Sequence, residues 1–300
     1  MKLFVFLVFT LALAPATFAA GSACSDLFIA KAEHKKHSFE PILYSVSRDG
    51  VTSYVFGVFH QTVDSESFPF AMQRAVFGAK FFLNEVDPTQ VPPMSSFFSA
   101  KDLKLTSAIS KSAWEKVQAI LPGIPENVLP VLPYVQFMEA SMKTAIGQPV
   151  DPQILMDFKL REFAVLKRVP VFFLDDVNDV IQRYAAGVTP ELLEWTLNHL
   201  DQTKFADSFR RQRDAYLAGD IDTHSRLFES AHEDFKIRGL LESLVKERNR
   251  KWVKQLIEFH TRGTFFFAVG VGHLGGNGNL LENLKANGFV VSRITTDTPQ

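Results

Sequence analysis

Two histidines in the sequence lie in the same short motif, and each follows an apolar stretch typical of a β-strand. The motifs are Gly57-Val58-Phe59-His60 and Gly270-Val271-Gly272-His273, both of the form Gly-x-x-His. A third apolar stretch ends in Glu85. In open α/β sheets, ligands bind beyond the carboxyl ends of the strands. If the three strands are parallel neighbours, His60, Glu85 and His273 converge at one edge of the sheet.

Two imidazoles and one carboxylate support two kinds of hydrolytic chemistry. They are a common ligand set for a divalent metal with open positions for water and substrate, and such a metal lowers the pKa of bound water. Without a metal, one histidine serves as general base and Glu85 orients it. The spacing does not separate these hypotheses. A third interpretation, in which the histidines merely end their strands, suits a lone histidine better than two matched motifs.

An arginine and an asparagine lie on the helix that precedes the second motif. Arg248 shares a helical stripe with apolar residues at four-residue steps: Leu244, Trp252 and Leu256. Asn249 lies beside it. An unpaired buried guanidinium is costly, so Arg248 needs an anionic partner. That partner is either an internal acid such as Glu85 or Asp87, or a substrate group.

Other polar residues have ordinary explanations that compete with a site. Asp175-Asp176 could bind a metal, but the pair precedes a predicted helix, where capping is the simpler role. His34 and His37 are surrounded by lysines, which repel a cation. Four further histidines lie on predicted helices without a partner motif: His199, His224, His232 and His260.

The hydrophobic pattern predicts the elements that position these residues. Strands are expected at 42–47, 51–59, 80–86, 169–174, 264–269 and 289–294, with a hairpin turn at 48–50. Helices are expected at 70–78, 111–121, 134–146, 152–163, 177–186, 190–200, 205–217, 221–232, 233–261 and 279–286. Strands alternate with helices at both ends of the chain. The pattern predicts an α/β fold in which helices flank a mixed or mostly parallel sheet, with a large helical insertion.

The first residues are typical of a secretory signal peptide. A basic start, an apolar run and small residues predict removal of residues 1–19, leaving 20–300 as one α/β domain. The alternative is a membrane anchor, but the apolar run is shorter than the ~20 residues that a spanning helix needs. We expect an exported protein, periplasmic or secreted, without a transmembrane segment. Lipid attachment at Cys24 is a minor alternative.

Composition excludes several classes of protein. The chain has 32 basic and 33 acidic residues, for a formal net charge of −1. No basic excess supports binding to nucleic acid. The single cysteine, Cys24, excludes an internal disulfide and a cysteine-based zinc site.

The sequence resembles the TraB/PrgY/GumN family, which is related to the Tiki metalloproteases. The resemblance rests on YVFGVFH at 54–60, NEVD at 84–87, YLAGD at 216–220, RNRKW at 248–252, FAVGVGHL at 267–274 and GFVV at 288–291. It is most similar to the GumN-type exported bacterial branch. Two positions depart from the pattern: Val58 replaces a common Thr, and Leu174-Asp175-Asp176 replaces a common Leu-Glu-Thr. These departures concern the substrate pocket more than the fold.

The resemblance implies a Tiki/erythromycin-esterase/ChaN-like α/β fold and a site made of named residues. His60, Glu85 and His273 would be metal ligands or catalytic groups, with Arg248 and Asn249 in support. Tiki proteins are described as manganese- or cobalt-dependent peptidases, and zinc also suits these ligands. The leading expectation is a metal-dependent hydrolase, a peptidase, acting on a peptide or small-molecule substrate. The alternatives are a metal-free hydrolase of the erythromycin-esterase type and a peptide-sequestering protein, the role associated with PrgY.

Overall fold

The computed structural model describes most of the chain after its N-terminal segment. The described residues are 40–59, 69–87, 90, 94–99, 104–146, 156–234 and 236–295. Several predictions therefore lie outside the described residues: the signal peptide at 1–19, Cys24, His34, His37 and His60.

The predicted hairpin opens the described fold. Strands β1 (Leu43–Arg48) and β2 (Val51–Val58) pair in antiparallel register. Asp49 and Gly50, which connect them, have φ angles of 51° and 78°. Two successive residues with positive φ form the type of tight turn that matches strand twist, and Asp-Gly is a favoured sequence for it. The prediction of a hairpin at this turn is confirmed.

Within the described residues, six strands form one sheet in the order β4-β3-β5-β2-β1-β6. The further strands are β3 (Phe81–Asn84), β4 (Val171–Phe173), β5 (Phe265–Gly270) and β6 (Val290–Ile294). β5 pairs in parallel with both β2 and β3, and β3 pairs in parallel with β4. β1 runs antiparallel to β2 and β6. The expected mostly parallel sheet is confirmed.

The central strands are apolar because both of their faces are covered. Every residue of β5 is buried, and so is every residue of β3. A continuous apolar run of this kind is the sequence signature of a strand with helices on both sides.

Helices flank the sheet and form the expected insertion. They are α1 (Phe70–Phe77), α2 (Lys111–Ile120), α3 (Val131–Ile146), α4 (Met156–Leu166), α5 (Val177–Gly187), α6 (Pro190–His199), α7 (Gln202–Leu217), α8 (Ile221–Asp234), α9 (Arg238–Leu241), α10 (Glu247–Arg262) and α11 (Leu280–Ala286). Thr189 caps α6 by accepting a hydrogen bond from the Leu192 N–H, and Pro190 occupies the first helical position. None of the helices in the described ranges is long and apolar enough to cross a lipid bilayer.

The single long helix expected at 233–261 is wrong. α8 runs on to Asp234, and Lys236 then adopts a φ of 57°. The chain resumes as α9 and passes through a π-helical turn at Glu242–Lys246 before α10 begins. Neither Lys236 nor Ile237, where the helix breaks, is a glycine or a proline. The break needs neither, since one residue in the left-handed region is enough to interrupt a helix.

Two apolar clusters meet where the site lies. One surrounds the sheet and includes Leu83 and Trp252, and the other fills the helical insertion and includes Val86 and Leu244. Glu85 lies between Leu83 and Val86, so the end of β3 is at the boundary of the two clusters. The helix that carries Leu244 and Trp252 joins them.

Candidate functional site

The parallel register brings the ends of β2, β3 and β5 to the same edge of the sheet. Glu85 follows β3 directly, and His273 lies in the short 3-10 turn after β5. Nε2 of His273 is 3.9 Å from Oε2 of Glu85. β2 ends at Val58, which pairs with Gly270, but His60 itself lies outside the described residues. The structure therefore brings together two of the three residues that the sequence singled out.

The Glu85 carboxylate is fixed by donors from two different elements. Its Oε1 accepts a hydrogen bond from the Gly270 N–H at the end of β5, at 2.6 Å. Its Oε2 accepts one from Nη2 of Arg248 on α10, also at 2.6 Å. The side chain is only 5% exposed. Short, charge-assisted bonds of this kind hold a carboxylate in one orientation.

Arg248 is buried and joins two carboxylates. Its Nε donates to Oδ2 of Asp175 at 2.7 Å, its Nη2 donates to Glu85, and its Nη1 donates to the Leu244 carbonyl at 3.1 Å. Asp175 also accepts from Nζ of Lys251 at 2.7 Å. The prediction that Arg248 is buried and paired with an acid is confirmed. The two acids and two bases balance in charge, and these contacts favour the structural pair over substrate binding.

Asn249 determines which nitrogen of His273 carries the proton. The Asn249 amide nitrogen faces two carbonyl oxygens, of His273 at 3.4 Å and of Gly278 at 3.2 Å, so it is the donor end. The amide oxygen therefore faces Nδ1 of His273, at 2.8 Å, and accepts its proton. Neutral His273 then carries its proton on Nδ1 and has its lone pair on Nε2, the nitrogen nearer Glu85.

Trp252 packs against Arg248 on its own helix and against His273 on the facing loop. The His273 ring lies 4.6 Å from the Trp252 ring, and the Arg248 guanidinium lies 4.4 Å from its centre. Trp252 is fully buried. The indole thus restricts the rotation of the imidazole and stabilises the guanidinium by a cation–π contact.

A glycine of the second motif, Gly272, and another just after the motif, Gly275, are required by packing against α8. A Cβ on Gly272 would lie 2.9 Å from the Phe228 ring, and a Cβ on Gly275 would lie 1.6 Å from Oγ of Ser225. Gly57 in the first motif is likewise closed off, since a Cβ there would lie 2.9 Å from Leu274. In these three glycines the space of the missing side chain is filled by protein, so they allow close packing of the motif loops.

The described donors agree in kind with a divalent metal. Nε2 of His273 and Oε2 of Glu85 lie 3.9 Å apart, and an imidazole nitrogen and a carboxylate oxygen are donors of the kind that would hold such an ion. The Nδ1–H of His273, donated to Asn249, is the usual arrangement behind a metal-binding histidine. Within the described ranges, no group of three or more His, Cys, Asp or Glu side chains could hold an ion. The third ligand that the sequence predicts, His60, lies outside the described residues.

The remaining candidates have structural roles. Asp176 caps α5 by accepting from the Asn178 N–H at 2.8 Å, as predicted, but its neighbour Asp175 pairs with Arg248. His260 hydrogen-bonds Ser53 and a backbone carbonyl at the opposite edge of the sheet. His224 is buried, and burial lowers its pKa to about 4, so it is neutral at physiological pH.

Sequence reasoning did not identify Asp175 as part of the site. One signal for its role is its position just after β4, the strand next to β3. An acid at that position is a candidate partner for Arg248, which the sequence predicts to be buried. The backbone supports the pairing, since the Asp175 N–H donates to the Glu85 carbonyl at 2.8 Å. The contact joins residues far apart in sequence, which is why spacing gave no hint of it.

The fold and the site together define an α/β protein with a polar site at the carboxyl edge of a parallel sheet, built from histidine, carboxylate and arginine. The chain belongs to the TraB/PrgY/gumN family, whose sequence profile matches residues 42–293. Comparison with curated proteins gives no significant match. Family membership agrees with the resemblance inferred from the motifs, and the catalytic or metal-binding roles of individual residues stay predictions.

Proposed function

We propose that this protein is a hydrolase, with peptides as the leading substrate class, and that a divalent metal ion acts at His273, Glu85 and His60. The observation that supports this proposal is the orientation of His273. Its Nδ1–H is donated to Asn249, and its Nε2 lies 3.9 Å from Glu85. A histidine whose Nε2 lone pair faces a carboxylate is suited to bind a metal ion or to accept a proton.

Each described residue has a distinct part in the proposed site. His273 would supply a neutral nitrogen ligand, and Asn249 would keep the proton on the other ring nitrogen. Glu85 would supply an oxygen ligand, since a carboxylate has about four acceptor positions. Arg248 is a positioning residue that holds Glu85 against the Gly270 backbone. A bound divalent ion would supply a Lewis acid that lowers the pKa of water.

One observation favours a metal-free hydrolase as the second candidate. Oε2 of Glu85, the oxygen nearer His273, already pairs with Arg248 at 2.6 Å. A neighbouring guanidinium reduces the attraction of that oxygen for a second cation. In this version His273 accepts a proton at Nε2 from water or from a substrate hydroxyl, and Glu85 stabilises the imidazolium that forms.

Chelation separates the two candidates. The purified chain, produced without a histidine tag, is treated with chelator, and its metal content and its cleavage of a defined peptide mixture are measured. Manganese, cobalt or zinc is then added back. The metal proposal expects loss of cleavage on chelation and recovery on addition of one of these ions. Full cleavage in the metal-free protein would support the histidine-base mechanism instead.

Variants connect any activity to the site. His273→Ala and Glu85→Gln should each abolish cleavage, whereas His199→Ala, which replaces an exposed histidine, should leave it unchanged. Circular dichroism checks that each variant is folded. Peptide binding that survives His273→Ala, without turnover under any metal, would contradict both hydrolase versions and favour a sequestering protein.

A further inference from the structure

The edge of the sheet opposite the site carries a cluster of cations. Lys80 directly precedes β3, Lys167 and Arg168 precede β4, and Arg262 precedes β5. Because these strands are parallel, all four residues lie at the edge where the strands begin. Lys80 and Arg262 are in contact, since Nζ of Lys80 donates to the Arg262 carbonyl at 2.8 Å. We name this set of four residues the basic edge.

None of the four cations of the basic edge forms an ion pair within the described residues. Cations elsewhere on the surface commonly have carboxylate partners, as in Lys104–Glu126, Lys159–Glu162, Arg183–Glu247, Arg210–Asp207, Arg238–Glu233 and Arg250–Glu242. The chain as a whole has a net charge of −1. The positive charge of the basic edge is therefore a local cluster and does not follow from the net charge of the chain.

Aromatic rings hold three of these cations at the surface. Lys167 lies 4.9 Å from the centre of the Phe77 ring, and Arg262 lies 5.1 Å from that of Phe81. Lys80 lies 5.5 Å from the Phe81 ring. These contacts anchor the side chains without neutralising their charge, so the cations stay available to an external anion.

Exposed apolar side chains adjoin the basic edge. Leu166 is 67% exposed and Val165 is 44% exposed, and they directly precede Lys167 and Arg168. Large exposed hydrophobic residues are few among the described residues: Phe70, Met94, Val165, Leu166 and Val290. Two of the five thus lie next to unpaired cations, at the end of α4.

We propose that the basic edge, with Val165 and Leu166, docks the protein on the surface of an anionic phospholipid bilayer. Cations next to exposed aliphatic side chains match a membrane surface, where charge meets the headgroups and apolar groups enter the interface. A soluble polyanion would use the cations but would gain nothing from Leu166. Docked in this way, the protein directs the opposite edge, with His273 and Glu85, toward the aqueous phase.

Vesicle co-sedimentation tests the proposal with the full chain. Binding to mixed phosphatidylglycerol–phosphatidylcholine vesicles is compared with binding to pure phosphatidylcholine vesicles at low and high salt. We expect binding that requires phosphatidylglycerol and weakens with salt. The double variant Lys167→Glu/Arg168→Glu should reduce it by at least about 30-fold, because each basic residue lost near an anionic surface costs about fivefold and the two new carboxylates are repelled by that surface. Leu166→Ser should weaken binding without changing its dependence on salt.

A matched control separates this surface from net charge. Lys111→Glu/Arg238→Glu makes the same change in charge at exposed positions on other helices, where the side chains are 92% and 80% exposed. This control should bind like the unmodified chain, and comparing variants of one chain cancels any contribution from residues 1–39. Equal losses in both double variants, or equal binding to both kinds of vesicle, would overturn the proposal. So would Lys167-dependent binding to polyglutamate without vesicle binding, which would indicate an acidic protein partner.

Discussion

At the scale of single residues, the site is organised by a chain of charges, Lys251–Asp175–Arg248–Glu85, of which all but the partly exposed Lys251 are buried. Side chains of Asp175, Arg248 and Glu85 are 3%, 1% and 5% exposed. Burying ions is expensive, and each is tolerated here because an opposite charge lies within hydrogen-bond distance. The arrangement stabilises one geometry of Glu85 more than it stabilises the fold, since a well-packed apolar replacement of such charges is often neutral.

Asp175 and Asp176 give a test of this view, because they are sequence neighbours with different partners. Asp175→Ala leaves the Arg248 guanidinium without one of its two carboxylates, and we expect a loss of about 3–5 kcal/mol in the free energy of unfolding. Asp176→Ala removes a helix cap and should cost about 1 kcal/mol. Urea denaturation of both variants provides the comparison. If both variants lose the same free energy of unfolding, the buried charges stabilise the fold no more than a helix cap does.

At the scale of elements, the sheet is also tied together at the edge away from the site. Nε2 of His260, on α10, lies 2.9 Å from the Arg48 carbonyl and must donate to it. Nδ1 of His260 therefore accepts the Ser53 hydroxyl proton, at 3.2 Å, and Ser53 in turn accepts from the Phe265 N–H at 3.0 Å. One buried serine and one buried histidine thus connect the hairpin, β5 and α10.

Replacing Ser53 should weaken these connections without reaching the site. Ser53→Ala leaves the Phe265 N–H and Nδ1 of His260 without partners, and two buried polar groups left unsatisfied cost about 3 kcal/mol. Ser47→Ala, at a more exposed position of the same hairpin, should change the free energy of unfolding by less than about 0.5 kcal/mol. Thermal or urea unfolding measures both. A Ser53→Ala variant as stable as the Ser47→Ala variant would contradict the network.

Most elements of the sheet could be predicted because their signals are local. Asp49-Gly50 specifies a turn, the apolar run before Gly270 specifies a doubly covered strand, and Thr189-Pro190 specifies a helix start. The sequence predicts that Glu85 and His273 lie close together because strands of this kind are parallel and end at one edge. Each of these inferences needs only neighbouring residues and a general rule of topology.

The features that the sequence did not reveal depend on distant contacts. Arg248 pairs with Asp175, which lies 73 positions away in the sequence. No local pattern selects Asp175 over Asp176 as that partner. The break at Lys236 and the π-turn at Glu242–Lys246 leave the apolar stripe largely in place, so periodicity predicted one continuous helix. The tautomer of His273 depends on two carbonyl oxygens that only the folded loop brings to Asn249.

At the scale of the whole molecule, the two edges of the sheet have opposite character. The carboxyl edge holds three buried charges that are balanced with the partly exposed Lys251, whereas the basic edge holds surface cations that form no ion pair within the described residues. Chemistry at a buried site requires fixed groups, and docking on a surface requires accessible ones. The four parallel strands, β2, β3, β4 and β5, separate these requirements, because all four begin at the basic edge and end at the carboxyl edge.

Folding stability of the whole chain should be sensitive to mild acid through His224. This histidine of α8 is 1% exposed and packs between the rings of Phe59 and Phe228, and burial lowers its pKa from 6.5 to about 4. The unfolded chain therefore binds the proton more tightly than the folded chain. The stability contributed by neutral His224 is complete above pH 6.5 and is lost as the pH falls toward 4.

The size of the effect follows from the difference between the two pKa values. Near pH 5, His224 alone should lower the free energy of unfolding by about 2 kcal/mol relative to neutral pH. His232, whose pKa burial also lowers, should add to the loss in the same direction. His224→Phe retains an aromatic ring between Phe59 and Phe228 but cannot be protonated, so its stability should fall less between neutral pH and pH 5. Urea denaturation at both pH values measures the difference, with His199→Phe as the exposed control. If the His224→Phe variant and the unmodified chain lose the same stability on acidification, His224 does not cause the acid sensitivity.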